Sequence, residues 1–248
     1  MKQVELTHKN LNNGKQTLIH HPLGDKEFEN QFYEIFEVEH YKEGKIRDGV
    51  YVDLGANIGL TALYFKDFAK KYYAIEPSSQ NFEALEKNTD SLNNVELFNF
   101  AIMSNDGEDY MWQTAKDSVP QTFFGSNNEA FGKERVKCKR LDTFFKENNI
   151  EHIDVLKIDV ESSEYVILPS ESFKNVADKI DLIIGEAHYN NQGLIPDIIP
   201  AILKEYDFKT EFVNLPQPNM IYKFYYIPEN KEYEYRTNTI FIARRENA

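Results

Sequence analysis

The sequence predicts an α/β domain built on a mainly parallel sheet. Three observations carry this. Apolar runs of strand length alternate with stretches of helical periodicity, the signature of βαβ units. Two glycines, Gly55 and Gly59, stand where the first such run turns into a helix, and glycine there lets the backbone approach a ligand closely. The second run ends on an acid, Glu76, seventeen residues beyond Gly59. A carboxylate at that strand tip is placed to accept hydrogen bonds from two ribose hydroxyls.

The elements follow in order. Residues 49–54 read as a buried strand and 59–69 as an amphipathic helix. A second strand covers 71–76, and Pro77-Ser78-Ser79 opens a helix to about residue 90 with Phe82, Leu85 and Leu92 as its apolar stripe. Residues 95–99 form the third strand, and Asn105-Asp106-Gly107 is a turn signal. From Gly107 to Lys139 no helical pattern is present; the segment reads as β-rich excursions with a loop near Gly125-Ser126-Asn127-Asn128. Glu134 to Arg140 alternates as a strand, and Asp142 to Asn148 is a short helix. Residues 153–160 are a further core strand, followed by a helix over Glu164 to Leu168. Residues 180–187 are another buried strand, and Ile195 to Tyr206 is helical. Phe208 to Val213 and Asn238 to Ala243 close the sheet. Between them an aromatic-rich insertion at 214–236 has the length of a lid or binding loop. Residues 1–45 are expected to form an N-terminal helical cap, with 46–248 as the ligand-binding domain.

Composition narrows the partners. The net charge of −13 argues against a nucleic acid, which needs a basic footprint. No stretch approaches the ~20 apolar residues of a membrane span, and the polar first twenty residues carry no signal peptide. A soluble, cytoplasmic protein is expected, and a homo-oligomer is compatible with the sequence. The single cysteine, Cys138, reads as a small strand residue, and no Cys/His spacing suits zinc. His20 and His21, in the cap, read as solvated.

The glycine spacing selects among adenosine ligands. The dinucleotide fingerprint is G-x-G-x-x-G, whereas here D-x-G-x-x-x-G runs from Asp53 to Gly59 with Ala56-Asn57-Ile58 between the glycines. No G-x-x-x-x-G-K-S/T phosphate loop is present either. A looser turn that begins with an acid suits a ligand without phosphates but with an ammonium group, and S-adenosylmethionine fits. Asp53 would meet its amine directly or through water. The bland alternative is an αβ turn without a ligand and Glu76 as a solvated carboxylate. Finding Asp53, Gly55, Gly59 and Glu76 in register weighs against it.

With these residues in view, the chain resembles the FkbM family of methyltransferases. Four stretches carry the likeness: VDLGANIGLTALYF at 52–65, AIEPSSQNFEALEKN at 74–88, NVELFNFAIMSNDG at 94–107 and LKIDVESSEYVIL at 156–168. The resemblance implies a class I, Rossmann-like methyltransferase fold with a seven-stranded, mostly parallel sheet, helices on both faces and an antiparallel last strand. It also implies methylation of oxygen, often on a sugar, glycan or polyketide-type hydroxyl. Gly55, Asn57, Gly59, Glu76 and Pro77 would hold the cofactor together with Asp53 and Asp159, and Asn99 to Ile102, Ala101 among them, would border the adenine. The family usually has glycine after the glutamate of its IDVEG motif; here Ser162 stands there. Ser162 or Ser163 reads as a helix N-cap.

Asp53, Glu76, Asn99, Asp159 and Glu186 all fall at the carboxyl ends of predicted strands, where open parallel sheets bind ligands. Methyl transfer to an alcohol needs a base, worth ~10²–10⁴-fold. Asp159, Glu161, Glu186 and His188 are the candidates. The same four could assemble an oxygen-plus-imidazole metal site, but carboxylates around a cationic cofactor explain themselves, and no metal is expected. Lys157, on the strand face of Asp159, reads as an ion-pair partner. The acceptor is expected to be a small hydroxylated molecule, a sugar or sugar nucleotide. A nucleic-acid methyltransferase is disfavoured because no N/D-P-P-Y/W motif follows the fourth strand. A dehydrogenase is disfavoured by the glycine spacing. A non-catalytic interaction module on the same fold is the remaining alternative.

Overall fold

The computed structural model describes residues 1–113, 120–122, 132–188, 198–213, 223–227, 232–236 and 239–245. The chain opens with β1 (Lys2–Thr7), α1 (Lys9–Asn12), β2 (Gln16–His21) and α2 (Asp25–Phe32). The core follows with β3 (Gly49–Leu54), α3 (Leu60–Phe65), β4 (Ala69–Ile75), α4 (Ser79–Thr89) and β5 (Val95–Phe98). Next come the short strands β6 (Ala101–Ile102), β7 (Gly107–Gln113), β8 (Pro120–Thr122) and β9 (Lys133–Lys139). The second half runs through α5 (Leu141–Glu147), β10 (Ile153–Ile158), α6 (Glu164–Ile167), α7 (Glu171–Lys174), β11 (Ile180–Ala187) and α8 (Ile199–Lys204). It ends with β12 (Phe208–Val213), β13 (Lys223–Ile227), β14 (Glu232–Arg236) and β15 (Thr239–Arg245).

Seven strands form the main sheet in the order β12-β15-β11-β10-β3-β4-β5. β15 is antiparallel to both neighbours, while β11, β10, β3, β4 and β5 pair in parallel. This is the Rossmann-like sheet expected from the sequence. Chain order reverses direction about β3, so the crevice at the carboxyl ends of β3, β4 and β10 is the ligand position of such a sheet.

The central strands are buried on both faces and therefore read as continuous apolar runs. Alternation sorts them into two cores. Val52, Leu54, Tyr73, Leu156, Ile158 and Ile183 pack on one side with Phe144 and Phe173. Tyr51, Tyr72, Ala74, Val155 and Ile184 pack on the other with Phe65, Leu85 and the N-terminal Phe36. Two charged residues are buried within these central strands, Asp53 in β3 and Lys157 in β10. The sheet register sets them directly opposite each other.

The N-terminal segment departs from a helical cap, because it begins with the antiparallel hairpin β1–β2. KQVELT and QTLIHH alternate with period two, and Val4, Thr7, Thr17 and Ile19 are β-branched. Asn13 and Gly14 take the positive φ of the bend, 51° and 75°. Asn13 is the left-handed C-cap of α1, which lies inside the connection from β1 to β2. His21 is buried and stacked on Phe28 at 4.3 Å, not solvated.

The β-rich stretch before Lys139 forms a second sheet, β6-β9-β7-β8, which buries Cys138 with Met111 and Val136. The loop expected near Gly125–Asn128 lies outside the described residues. Of the 214–236 insertion, the described backbone is the antiparallel pair β13–β14, and the rest lies outside them. Among the described residues no helix is long and apolar enough to cross a membrane.

The N-cap reading of Ser162 is corrected. Glu161 and Ser162 have φ of 51° and 79°, and α6 is preceded by Ser163 with no side-chain cap. The left-handed conformation is the physical reason a glycine suits position 162. Ser162→Gly is expected to stabilise the fold by about 1 kcal/mol, read as a higher urea midpoint at unchanged m-value.

Candidate functional site

A cavity of about 360 Å³ opens at the carboxyl ends of β3, β4, β10 and β11. Its floor is the turn from Gly55 to Ile58, one wall carries Glu76, Pro77 and Ala101, and the opposite wall carries Asp159, Glu161, Glu186 and His188. The roof comes from the N-terminal segment, with Asn30, Gln31, Glu34 and Tyr41.

The floor is fixed by close packing. Gly55 has φ 82°, and a Cβ there would lie 1.9 Å from the carbonyl oxygen of Asp159. The amides of Gly55 and Ala56 both donate to the Ile75 carbonyl at 3.0 Å. Asn57 adopts φ 50°, which asparagine tolerates better than most residues. Gly59 has a different task. It does not line the cavity, and a Cβ there would meet Leu85 Cδ1 at 2.8 Å, so it lets α3 pack against α4.

Glu76 is buried with its carboxylate turned to the floor. Oε2 accepts from the Asn57 amide at 2.9 Å and Oε1 from the Ser78 amide at 2.8 Å. Burial pushes its pKa up to about 7, against the pull of those two amides and of Lys157. A carboxylate offers about four lone-pair positions, so further hydroxyls can be accepted.

Asp53 lies beneath the floor and does not line the cavity. Its Oδ1 pairs with Lys157 Nζ at 2.9 Å, and its Oδ2 accepts from Thr61 and Tyr72 hydroxyls, each at 2.6 Å. Direct contact between Asp53 and a ligand ammonium is therefore not what this geometry provides. Lys157 also reaches the Gly55 carbonyl at 2.9 Å and Asp159 at 3.7 Å. Burial alone would lower its pKa; Asp53 and Asp159 outweigh that and raise it. Asn99 is likewise corrected. It is exposed, and its side-chain amide donates to the carbonyls of Glu76 and Pro77 at 2.9 and 3.1 Å. Phe100, Ala101 and Ile102 are the neighbours that border the cavity.

The four candidate bases do converge. His188 Nε2 lies 3.8 Å from Asp159 Oδ1 and 3.7 Å from Glu161 Oε2, and Glu186 is within reach of both Asp159 and His188. Glu164, fully buried, accepts from the His188 amide at 2.7 Å and faces Nδ1 at 3.1 Å. Burial would lower the imidazole pKa, but the carboxylates of Glu164, Glu161 and Glu186 hold it well above its usual value.

Sequence reasoning missed three residues. Tyr41 donates to Asp159 Oδ2 at 3.1 Å across 118 residues of chain. Glu34, its pKa pushed up to about 8 by burial and then by Glu186, Asp159 and Glu161, faces the same acids. Glu164 was visible in the KIDVESSE stretch, but its grip on His188 was not. Three polar atoms bordering the cavity, Asn57 Oδ1, Asn81 Oδ1 and Ser163 Oγ, are buried without a hydrogen-bond partner among the described residues. Such atoms ask for a ligand or water.

A family model for the methyltransferase FkbM domain matches residues 53–210. No protein of curated function matches the sequence. Among solved structures, FkbM methyltransferase from Methylobacillus flagellatus KT aligns over 82% of this chain and 46% of its own, with 14% identity and a TM-score of 0.52. SMU.1697c from Streptococcus mutans, solved in complex with SAH, aligns over 84% and 95% of the two chains at 10% identity and a TM-score of 0.48. Aeropyrum pernix fibrillarin, with natively bound S-adenosyl-L-methionine, aligns over 81% and 68% at 11% identity and a TM-score of 0.47. At 14% identity the Methylobacillus likeness is one of fold.

Proposed function

The chain belongs to the FkbM methyltransferase family, and on that premise we propose that it methylates a hydroxyl of a small acceptor, using S-adenosylmethionine. The observation that carries the cofactor reading is Glu76, a buried carboxylate at the tip of β4 that lines the cavity and is held there by the Asn57 amide of the glycine turn. The unpartnered Asn57, Asn81 and Ser163 atoms fit a ligand with several polar groups. When bound, the cofactor supplies a methyl group already activated on a sulfonium.

The chain's own residues then have separate roles. Glu76 accepts from the ribose hydroxyls, and Phe100, Ala101 and Ile102 flank the adenine. Asp159, rather than Asp53, is the carboxylate at the tip of β10 that meets the positive charge of the amino-acid tail or sulfonium. The floor amides and the paired Lys157 hold that edge rigid, so that acceptor oxygen, methyl and sulfur align. The acceptor proton passes to a carboxylate of the Asp159, Glu161 and Glu186 wall. An uncharged sugar suits the acceptor side best, because vicinal hydroxyls donate to carboxylates and accept from the Asn30 and Gln31 amides. A diphosphate or a nucleic-acid backbone would meet Glu161 and Glu186 with like charge.

Calorimetric titration of S-adenosylhomocysteine tests the cofactor reading. Glu76→Gln is expected to weaken binding about 10–100-fold through lost charge-assisted hydrogen bonds. Because the carboxyl titrates near 7 and the ligand prefers its ionised form, wild-type affinity is expected to fall about tenfold from pH 8 to pH 6. The variant should show no such slope. Equal affinity in both proteins would remove Glu76 from the site. Methyl transfer to a panel of free sugars tests the acceptor class.

A further inference from the structure

We infer that Asp159, Glu186 and His188 form a divalent-cation site on the acceptor wall, where the bound ion takes the acceptor hydroxyl as a ligand. The inference rests on the methyl-transfer reading for its purpose, but its geometry stands alone. One donor atom from each residue lies within 4.8 Å of the others. Donors about 2.1 Å from a shared ion lie about 3.0–4.2 Å apart, and His188 Nε2 and Asp159 Oδ1 are 3.8 Å apart. That distance is too long for a hydrogen bond.

The histidine is built to present this nitrogen. His188 is 5% exposed and lines the cavity. Nδ1 faces the buried Glu164 carboxylate at 3.1 Å, and the Tyr165 hydroxyl donates to the His188 carbonyl at 2.8 Å. Nε2 is left toward the cavity with no hydrogen-bond partner among the described residues, its nearest acceptors being carboxylates at 3.7 and 3.8 Å. A carboxylate on the far ring nitrogen is how metal-ligating histidines are fixed and made more basic. Two carboxylates with one imidazole favour ions of the manganese or magnesium kind over zinc. A cation there also relieves the crowding of Glu34, Asp159, Glu161 and Glu186.

The site divides labour among the acids. The ion holds and acidifies the hydroxyl, Glu161 at the rim takes its proton, and the new O–CH3 bond forms as the C–S bond breaks. A second trio, His152, Asp154 and Asp181, meets the same distance criterion at the opposite end of the sheet. It is half-exposed, and Asp154 is already engaged by the Val50 amide at 2.7 Å.

Electron paramagnetic resonance of the metal-stripped full chain titrated with Mn²⁺ tests this directly. One Mn²⁺ per chain is expected. Asp159→Asn and Glu186→Gln should abolish binding, and Glu164→Gln should weaken it about 10–100-fold. Circular dichroism checks that each variant is folded, and the wild-type titration decides even if one is not. No bound Mn²⁺ in the wild type, unchanged affinity in Glu186→Gln, or loss only in His152→Ala overturns the inference. S-adenosylhomocysteine binding measured in the same metal-free samples separates this failure from failure of the cofactor reading.

Discussion

Gly55→Ala is expected to cost the fold about 2–5 kcal/mol and to abolish cofactor binding. Two effects add. A non-glycine residue at φ 82° costs about 1–2 kcal/mol. The new methyl would also stand 1.9 Å from the Asp159 carbonyl oxygen, which is backbone and cannot rotate away. Forcing β3 and β10 apart is a severe form of overpacking, usually worth 1–3 kcal/mol. Gly14→Ala separates the two effects. Gly14 has φ 75° and open space where its Cβ would be, so it should cost only about 1 kcal/mol. Urea unfolding of both variants reads the difference. Equal losses would mean that the close approach at Gly55 does not exist.

Lys157→Met is expected to destabilise by about 3–5 kcal/mol, the usual result of stripping one partner from a buried pair. Asp53 is 1% exposed and would keep a charge with only the Thr61 and Tyr72 hydroxyls to answer it. Asp53→Asn in the same chain should recover much of the loss, since the amide carries no charge to bury. The sign with pH is definite. The lysine pKa is raised above its ordinary value, so its contribution is whole below about 10.4 and fades only as pH rises through the higher folded value. The cost of Lys157→Met should therefore be flat from pH 6 to 9 in urea titrations. A loss under about 1 kcal/mol would show that water reaches the pair.

What was legible in the sequence was local or repeated. The central strands announce themselves as apolar runs, and the turn at Gly55–Gly59 and Glu76 are fixed by spacing along one βαβ unit. Asp159, Glu161, Glu186 and His188 converge because they occupy tips of adjacent parallel strands, which follows from topology. What was hidden depends on facing and on distance in the chain. That Asp53 points beneath the floor, to Thr61 and Tyr72, is a matter of strand face and helix placement that a motif does not encode. Asn99 turned out to brace the Glu76–Pro77 backbone because β5 ends with that side chain outside the cavity. Tyr41 and Glu34 belong to a segment with no catalytic pattern, and only folding brings them over Asp159. The β1–β2 pairing was readable from the period-two alternation of KQVELT and QTLIHH, but the helical turn α1 between them is not a tight-hairpin connection.

Asn30, Gln31, Glu34 and Tyr41 precede the stretch that matches the family, which begins at residue 53. The floor and both walls of the cavity thus lie in the stretch that matches the family, and its roof is written in a separate passage before it. Tyr41 is tied to Asp159 and Lys157, but Asn30, Gln31 and Glu34 have no bond to Gly55, Glu76 or the Asp53–Lys157 pair among the described residues, so taste for a new acceptor can arise at those three while the chemistry below stands still.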